Sequence, residues 1–306
     1  MASVTLAESA KLSQDMLIAG VIENIITVNP FYEVLPFAGI EGNSLAYNRE
    51  NALGAAQWTT VGTAIAGGKA PATFTQVTTS LTTLVGDAEV NGLIQATRSN
   101  INNQKAVQVA SKAKELGRQF ASKMIVGAGA NNEITGIAAL CPAGQKVASA
   151  ANGSNLSFAK MDEAMDKVVD KDGEVDYIMM HSRTLRSYMA LLRALGGASI
   201  GEVVTLPSGR QLPAYRGVPI YRNDYIPINV AQGNQGASTS VYFGTLDDGS
   251  MMHGISGLTA SGSAGIQIEE AGISETKDET ITRVKWYNGL ALFSNLGIAA
   301  MTGILD

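Results

Sequence analysis

The chain has 306 residues, a length that suggests two compact domains or one elaborate domain. Its 22 basic and 27 acidic side chains give a net charge of −5, which argues against a protein that coats nucleic acid, because phosphate binding needs an excess of lysine and arginine. Only 16% of the residues are charged while 33 are glycine, so much of the surface is weakly solvated and we expect another molecule to cover it.

The single cysteine excludes a disulfide framework and a cysteine-based zinc site, and indicates a reducing compartment or no thiol chemistry. No apolar run approaches the roughly 20 residues that a membrane span requires. The first residues also lack the cationic start and apolar core of a secretory signal. We therefore expect a protein that is made and kept in a cytoplasm-like space, away from membranes.

The first thirty residues contain an amphipathic stretch. Leu12, Met16, Ala19 and Ile22 recur at helical spacing. The pair Asn29-Pro30 should end this helix, because a residue before proline avoids the α region.

A long ribbon is predicted next. Ser44–Arg49 has the pattern of a strand, and Thr73–Val85, rich in β-branched residues, that of its return. Between residues 51 and 86 the only charged side chain is Lys69. A two-stranded ribbon is marginal in water alone, and an uncharged strand edge tends to pair with other chains. The pattern therefore predicts an arm that lies on another molecule.

The longest helix is predicted over Arg98–Val126, about 40 Å at 1.5 Å per residue. Ile101, Val109, Leu116 and Phe120 belong to its apolar stripe. Basic side chains occupy the rest of its surface, among them Lys105, Lys112, Lys114, Arg118 and Lys123.

A second unit follows, with helices and strands in turn. A helix begins at Ser157, a buried strand runs over Val175–Met180, and Ser182 caps another helix. Turn residues divide Leu206–Pro227 into hairpins. Further strands are predicted over Val241–Phe243 and Ser250–Ile255, on either side of the turn Asp247-Asp248-Gly249, and a last strand passes through Val284 and Trp286 to the apolar tail Leu290–Ile304. The fold class is α+β.

The residues of an enzyme are missing from the sequence. His181, His253 and Cys141 have no partner at catalytic or ligand spacing, and Asp247-Asp248 lacks the alternating oxygens of a calcium loop. Phosphate-binding loops and nucleophile elbows are absent as motifs. We therefore predict no catalytic, cofactor-binding or metal-binding residues.

The order of these parts resembles the major capsid protein of tailed bacteriophages, which has the HK97-like fold. Leu212–Ile220 is similar to that family's hairpin, Phe243–Gly249 to its strand and turn, and Gly289–Leu292 with Ala299–Ile304 to its closing strands. The resemblance implies an N-terminal arm over 1–40, an extended β-hairpin or E-loop over 41–90, a peripheral domain with a long spine helix over 91–156 and 277–306, and an axial domain over 157–276.

By the same resemblance, hexamers and pentamers of the chain form an icosahedral shell around double-stranded DNA. This implies a virion protein that assembles in the host cytoplasm. Three sets of contact residues follow: Trp58, Lys69, Pro71 and Phe74 between subunits on the E-loop; Lys105, Lys112 and Arg118 on the spine helix, toward the lumen or a neighbour; Gly217 and Pro219 in the axial hairpin.

The resemblance also implies partners, with departures. No long scaffolding segment precedes the arm, so a separate scaffolding protein is expected, with a portal protein and, in some relatives, a decoration protein. Some relatives join subunits through an E-loop lysine, an asparagine and a glutamate. Lys69 matches that lysine, but Thr280 and Tyr287 stand at the other two positions, which predicts a non-covalent shell. The negative net charge predicts weak, salt-sensitive contact with DNA.

Two other functions remain open. An encapsulin nanocompartment shares the fold and encloses a cargo enzyme, although its arm is usually shorter. A small-molecule enzyme using His181 or His253 would need a polar cluster that the sequence does not supply.

Overall fold

A computed structural model describes residues 30–64, 67–98, 104–170, 173–195 and 203–306. The amphipathic helix predicted through Leu12 and Ile22 lies outside these residues. After a short 3-10 helix, Pro30–Glu33, the described helices are α1 (Gly92–Arg98), α2 (Gln104–Val126), α3 (Ile137–Leu140), α4 (Phe158–Val169) and α5 (Ser182–Ala194).

Fifteen strands are assigned within the described ranges. They are β1 (Phe37–Ile40), β2 (Ser44–Ala52), β3 (Thr73–Ser80), β4 (Thr82–Asn91), β5 (Lys146–Ala148), β6 (Tyr177–Met180), β7 (Val203–Thr205), β8 (Gln211–Tyr215), β9 (Val218–Arg222), β10 (Val230–Gln232), β11 (Gln235–Gly244), β12 (Ile255–Ala260), β13 (Gln267–Ile273), β14 (Glu279–Leu292) and β15 (Ile298–Ile304).

The first large sheet is organised around β14. Its strand order is β1-β12-β14-β13, and β4 pairs antiparallel with β14 along Glu279–Asn288. The helix α2 packs on this sheet: Val109, Ala113 and Leu116 are buried against Ala88 and Val284. The apolar stripe predicted for the long helix is therefore its sheet-facing side, except for Ile101, which lies outside the described residues.

The second large sheet has the order β5-β15-β11-β6-β9-β8-β7, with β10 beside β11. Its central strand β6 is buried on both faces, as its unbroken apolar run requires. Ile178 and Met180 point into a core formed with α4 and α5. Tyr177 and Met179 point into the opposite core, which extends to the first sheet.

That shared core joins the two sheets into one body. Phe31 lies edge-on to Tyr177 at 4.8 Å between ring centroids, and Phe120 of α2 lies 4.5 Å from Trp286 of β14. Four aromatic residues from distant parts of the chain thus belong to the core where the sheets approach each other.

The ribbon exists but is shorter than predicted. Its two strands, β2 and β3, form a sheet of their own. The return strand predicted over Thr73–Val85 is wrong in its second half: the chain breaks at Leu81 and continues as β4, which pairs with β14 instead of β2. The sequence pattern does not show this change of partner, because period-2 alternation continues through the break.

Other boundaries differ as well. The long helix, predicted over Arg98–Val126, is described from Gln104, and Arg98 is the last described residue of α1; residues 99–103 lie outside the described residues. Residues 250–254, predicted as a strand, form a bend in which Met251 and Gly254 have positive φ, and the strand begins at Ile255. The sheets also divide the chain differently from the predicted domains: β12 and β13 join the sheet of β14, while β15 joins that of β6.

Candidate assembly surfaces

The root of the ribbon is fixed to the end of β14. Tyr47 donates a hydrogen bond to the Leu292 main-chain oxygen at 2.7 Å, and its ring lies 5.2 Å from that of Phe293. Arg49 donates from Nε to the Phe293 oxygen at 2.9 Å and from Nη2 to the Leu292 oxygen. These bonds satisfy the carbonyls of Leu292, in the last β12–β14 pair, and of Phe293, just past it. Polar contacts therefore set the direction in which the ribbon leaves the body.

Beyond the root, the ribbon exposes apolar side chains. Leu53 is 79% exposed, Phe74 64%, and Trp58 and Val61 are fully exposed. Large apolar groups at full exposure, grouped on one thin element, are typical of a surface that another protein covers. Two E-loop residues predicted as contacts, Trp58 and Phe74, belong to this group.

The other two predicted E-loop residues are polar or small. Lys69 and Pro71 are exposed near the end of the loop, and Lys69 forms no ion pair with any residue that the structure describes. Thr280 and Tyr287, aligned above with the asparagine and glutamate, both lie half-buried in β14. Neither side chain carries the amide or carboxyl group that a lysine cross-link requires.

The basic residues of the spine helix α2 have three different surroundings. Lys105 forms an ion pair with Glu270 of β13. Lys112 is half-buried beside Gly86; the pKa of the nearby Asp87 carboxyl is lowered mainly by its hydrogen bonds from Arg283 and to a smaller extent by Lys112. Arg118 is exposed. The structure therefore leaves two of the three predicted lumen-side charges, Lys112 and Arg118, without an ion pair among the described residues.

The axial hairpin joins β8 and β9 through Arg216 and Gly217. Both have positive φ, 52° and 79°, as a two-residue turn between antiparallel strands requires, and glycine reaches that conformation without strain. Pro219 faces Ala214 across the hairpin. Beside the turn, Tyr215 donates to Asp162 of α4 at 2.8 Å, so the hairpin is held against that helix.

Chemistry-bearing side chains are scattered. His181 caps α5, its Nδ1 accepting a hydrogen bond from the Arg183 main-chain nitrogen at 3.0 Å; the predicted cap, Ser182, is instead the first residue of the helix. His253 is exposed in the bend before β12 rather than in a strand. Cys141 is buried, which raises the pKa of its thiol to about 11 and disfavours the reactive thiolate.

Among the described residues, no three histidine, cysteine or carboxylate side chains are grouped to hold a metal ion. In the same part of the chain, no helix has the length and apolar character to cross a membrane.

Sequence reasoning missed one surface, the outer face of α5. Arg186 and Arg193, with Arg222 of β9, surround the half-buried side chains of Leu185 and Met189 in a groove of about 580 Å³. The available signal was the complete absence of acidic residues between Ser182 and Ala194.

Comparison with known proteins identifies the family. The family model described as "Phage capsid family" matches residues 12–285. No curated protein matches the sequence.

Solved structures have the same fold at low identity. The chain is similar to the encapsulin of the holo-SrpI complex from Synechococcus elongatus PCC 7942, with a TM-score of 0.71, 17% identity, and 90% of this chain and 86% of that one covered. The capsid of Cyanophage A-1(L) has a TM-score of 0.66 and 13% identity to this chain, with 90% of this chain and 93% of that one covered. The capsid of a native GTA particle has a TM-score of 0.63 and 15% identity, with 90% of each chain covered. With the family model matching most of its length, the chain belongs to the phage capsid family and is a structural shell protein with the HK97-like fold.

Proposed function

We propose that the protein is a major capsid protein whose hexamers and pentamers close into an icosahedral shell around double-stranded DNA. The observation that carries this proposal is the ribbon: its root is fixed to the body, while Trp58, Val61 and Phe74 beyond the root are exposed. Such a surface is stabilised when it is covered, and in a capsid family the available cover is a second copy of the chain.

The regions of the fold are assigned from the strand pairing. The E-loop is the ribbon β2–β3 with its tip, and β4 belongs to the peripheral sheet with β12, β13 and β14. The axial region contains the sheet around β6 with α4 and α5, and it includes β5 and β15. Of the N-terminal arm proposed over residues 1–40, Phe31 lies in the shared core and β1 in the peripheral sheet, and residues 1–29 lie outside the described residues. The shell is then the virion capsid, built in the host cytoplasm.

The proposed partners follow from this role. A separate scaffolding protein guides assembly, a portal protein occupies one vertex, and a decoration protein reinforces a lattice without covalent links. Contact with packaged DNA is weak, because Lys105 and Lys123 are already paired with Glu270 and Glu133. Lys112 and Arg118 remain for phosphate, and this electrostatic contact weakens further as the salt concentration rises.

The lattice is non-covalent in this proposal. Lys69 is exposed on the ribbon, while Thr280 and Tyr287 offer it no group for an isopeptide bond. Purified shells boiled in SDS should therefore run as one band near 31.9 kDa. A ladder of covalent oligomers would refute this part of the proposal.

Assembly itself is tested by expressing the whole chain and viewing the product by electron microscopy. The proposal predicts closed particles built from five- and six-membered rings. Stable single molecules at high protein concentration, with Trp58 buried against their own body, would contradict it.

A second candidate, an encapsulin shell, is favoured by one observation: the encapsulin from Synechococcus elongatus has a TM-score of 0.71 to this chain. The two candidates differ in contents. Particles recovered from the native source should protect double-stranded DNA from nuclease if the chain is a virion protein. Particles filled with one folded protein and no protected DNA would establish the encapsulin instead.

A further inference from the structure

The outer face of α5 is basic and partly apolar. Arg186 and Arg193 are exposed and form no ion pair with any residue that the structure describes. Between them, the groove floor contains Leu185 and Met189, which are only half-buried. Arg222 lines the same groove, although its charge is shared with Asp224. A long polarizable methionine beside unpaired guanidinium groups suits an acidic partner with small apolar residues.

The outer face of α4 has the opposite character. A shallow depression of about 640 Å³ there is lined by four carboxylates and one lysine. The carboxylates are Asp162, Glu163, Asp166 and Asp170. Within the chain Glu163 is paired with Lys160 at 2.6 Å, and Asp162 and Asp166 face Arg216, so the four carboxylates exceed the nearby cations by one. Ala159 and the exposed Val169 supply the apolar part of that surface.

The two faces match in spacing. Arg186 and Arg193 are seven residues apart in α5. Glu163 in α4 is likewise seven residues from Asp170, which directly follows that helix, and seven residues correspond to about 10.5 Å along a helix axis. Because the two spacings are equal, two helices laid side by side can bring each guanidinium to a carboxylate.

The two helices lie side by side in one layer. Both pack on the same face of the axial sheet, in one core, and Phe158 of α4 lies 6.0 Å from Tyr188 of α5 between ring centroids. Both of these rings also lie against Tyr215 of β8. Their outer faces are nevertheless two different surfaces of opposite charge, and a ring of identical copies needs two different surfaces on each copy, one for each neighbour.

We propose that the arginine face of α5 docks on the carboxylate face of α4 in the next copy around each five- and six-membered ring. The proposal rests on the proposed function and identifies the surfaces through which copies recognise each other. Exposed single ion pairs contribute little, but pairs closed around Leu185 and Met189 are shielded from water, and the contact repeats at every position of a ring.

The test uses three charge-reversed forms of the whole chain. The first carries Arg186→Glu and Arg193→Glu, and the second carries Glu163→Lys and Asp170→Lys. Each alone places like charges across every contact, so the yield of closed shells in electron micrographs should fall by about tenfold or more. The third form combines all four changes and should assemble, since every contact again joins opposite charges.

Mixing the first two forms gives a sharper result. In a ring where they alternate, every contact joins opposite charges, and alternation is possible only for an even number of subunits. Co-expression should therefore restore six-membered rings, as sheets or tubes, but not the five-membered rings that closure needs. Circular dichroism and melting temperature of each single form verify that the fold is kept, and Arg210→Glu, on an exposed loop before β8, is the matched control.

The outcomes separate the two proposals. If the unchanged chain forms neither closed particles nor five- or six-membered rings, sheets or tubes, the proposed function fails. If the unchanged chain assembles and both single forms assemble equally well, the docking of α5 on α4 is overturned while the function stands. If both single forms fail but neither their mixture nor the combined form recovers, the two faces do not contact each other, and the pairing is likewise overturned.

Discussion

Arg49 of the ribbon donates a hydrogen bond from Nε to the main-chain oxygen of Phe293, 2.9 Å away and 244 positions later in the chain. This bond and the one from Tyr47 to Leu292 attach the ribbon to the end of β14, the longest described strand. The ribbon is a thin element that cannot fold alone. The ribbon is therefore positioned before any neighbour is present. This arrangement lowers the entropy that is lost when a second copy binds it.

Replacing Arg49 with alanine should loosen the ribbon without unfolding the body. Hydrogen bonds from a half-buried guanidinium to carbonyls contribute about 1 kcal/mol, so amides of β2 and β3 should exchange roughly fivefold faster. Hydrogen exchange measured by mass spectrometry tests this, with Arg210→Ala as the control. Unchanged exchange in β2 and β3 would show that the strands are held by other contacts.

Removing residues 55–72 should leave a folded chain that makes no closed shells. The cut leaves Leu53 and Gly54 to connect β2 to β3, whose pairing extends to Ala52 and Thr73. Neither large core uses the removed tip. Electron microscopy and a melting curve measure the two effects separately, and normal shells from the shortened chain would disprove our explanation of the low charge.

Tryptophan fluorescence should report assembly directly. Of the two tryptophans, Trp286 is buried in the body and Trp58 is fully exposed. Emission should shift to shorter wavelength as shells form, because Trp58 leaves water for an apolar contact. The variant Trp58→Phe should assemble with little shift, and a shift of equal size in that variant would assign the signal to Trp286 instead.

Acid should weaken the start of α5 through His181. Burial lowers the pKa of this histidine below 6.5, and the neighbouring guanidinium groups of Arg183, Arg222 and Arg186 act in the same direction, against the raising effect of Asp224. The unfolded chain then binds the proton more tightly than the folded one. The stabilising contribution is complete above pH 6.5 and is lost as the pH falls through the folded-state pKa.

The matched variant is His181→Asn, which keeps a side-chain acceptor at the helix cap and does not titrate. Between pH 7 and pH 5 the melting temperature of the unchanged chain should fall more than that of the variant. Equal slopes would show that the neutral imidazole has no role in holding the helix start.

Periodicity was sufficient to predict the elements that pack locally. The helix beginning after Ser157 and the end of the long helix at Val126 match the structure, because each depends on an apolar stripe in the local sequence. The hairpin around Gly217 also matches, since its turn residues are adjacent in the chain. The family likeness predicted the fold that the comparisons confirm.

Partners distant in sequence could not be predicted in this way. The change of partner at Leu81 and the place of β15 beside β11 depend on which strand lies next in space, which no local pattern encodes. The arginine face of α5 was missed for a related reason. The spacing of Leu185 and Met189 is typical of core residues on a helix, whereas the structure leaves both half-buried beneath exposed guanidinium groups.

The length of β14 has a mechanical consequence. At about 3.4 Å per residue its 14 residues extend some 47 Å, and its ladder with β4 runs from Glu279 to Asn288, just short of the carbonyls that hold Arg49. A force that pulls the ribbon outward along this strand would strain the rungs of that ladder together rather than one after another. Tearing the ribbon from the body would then require many hydrogen bonds to break at once, a geometry that resists tension far better than unzipping.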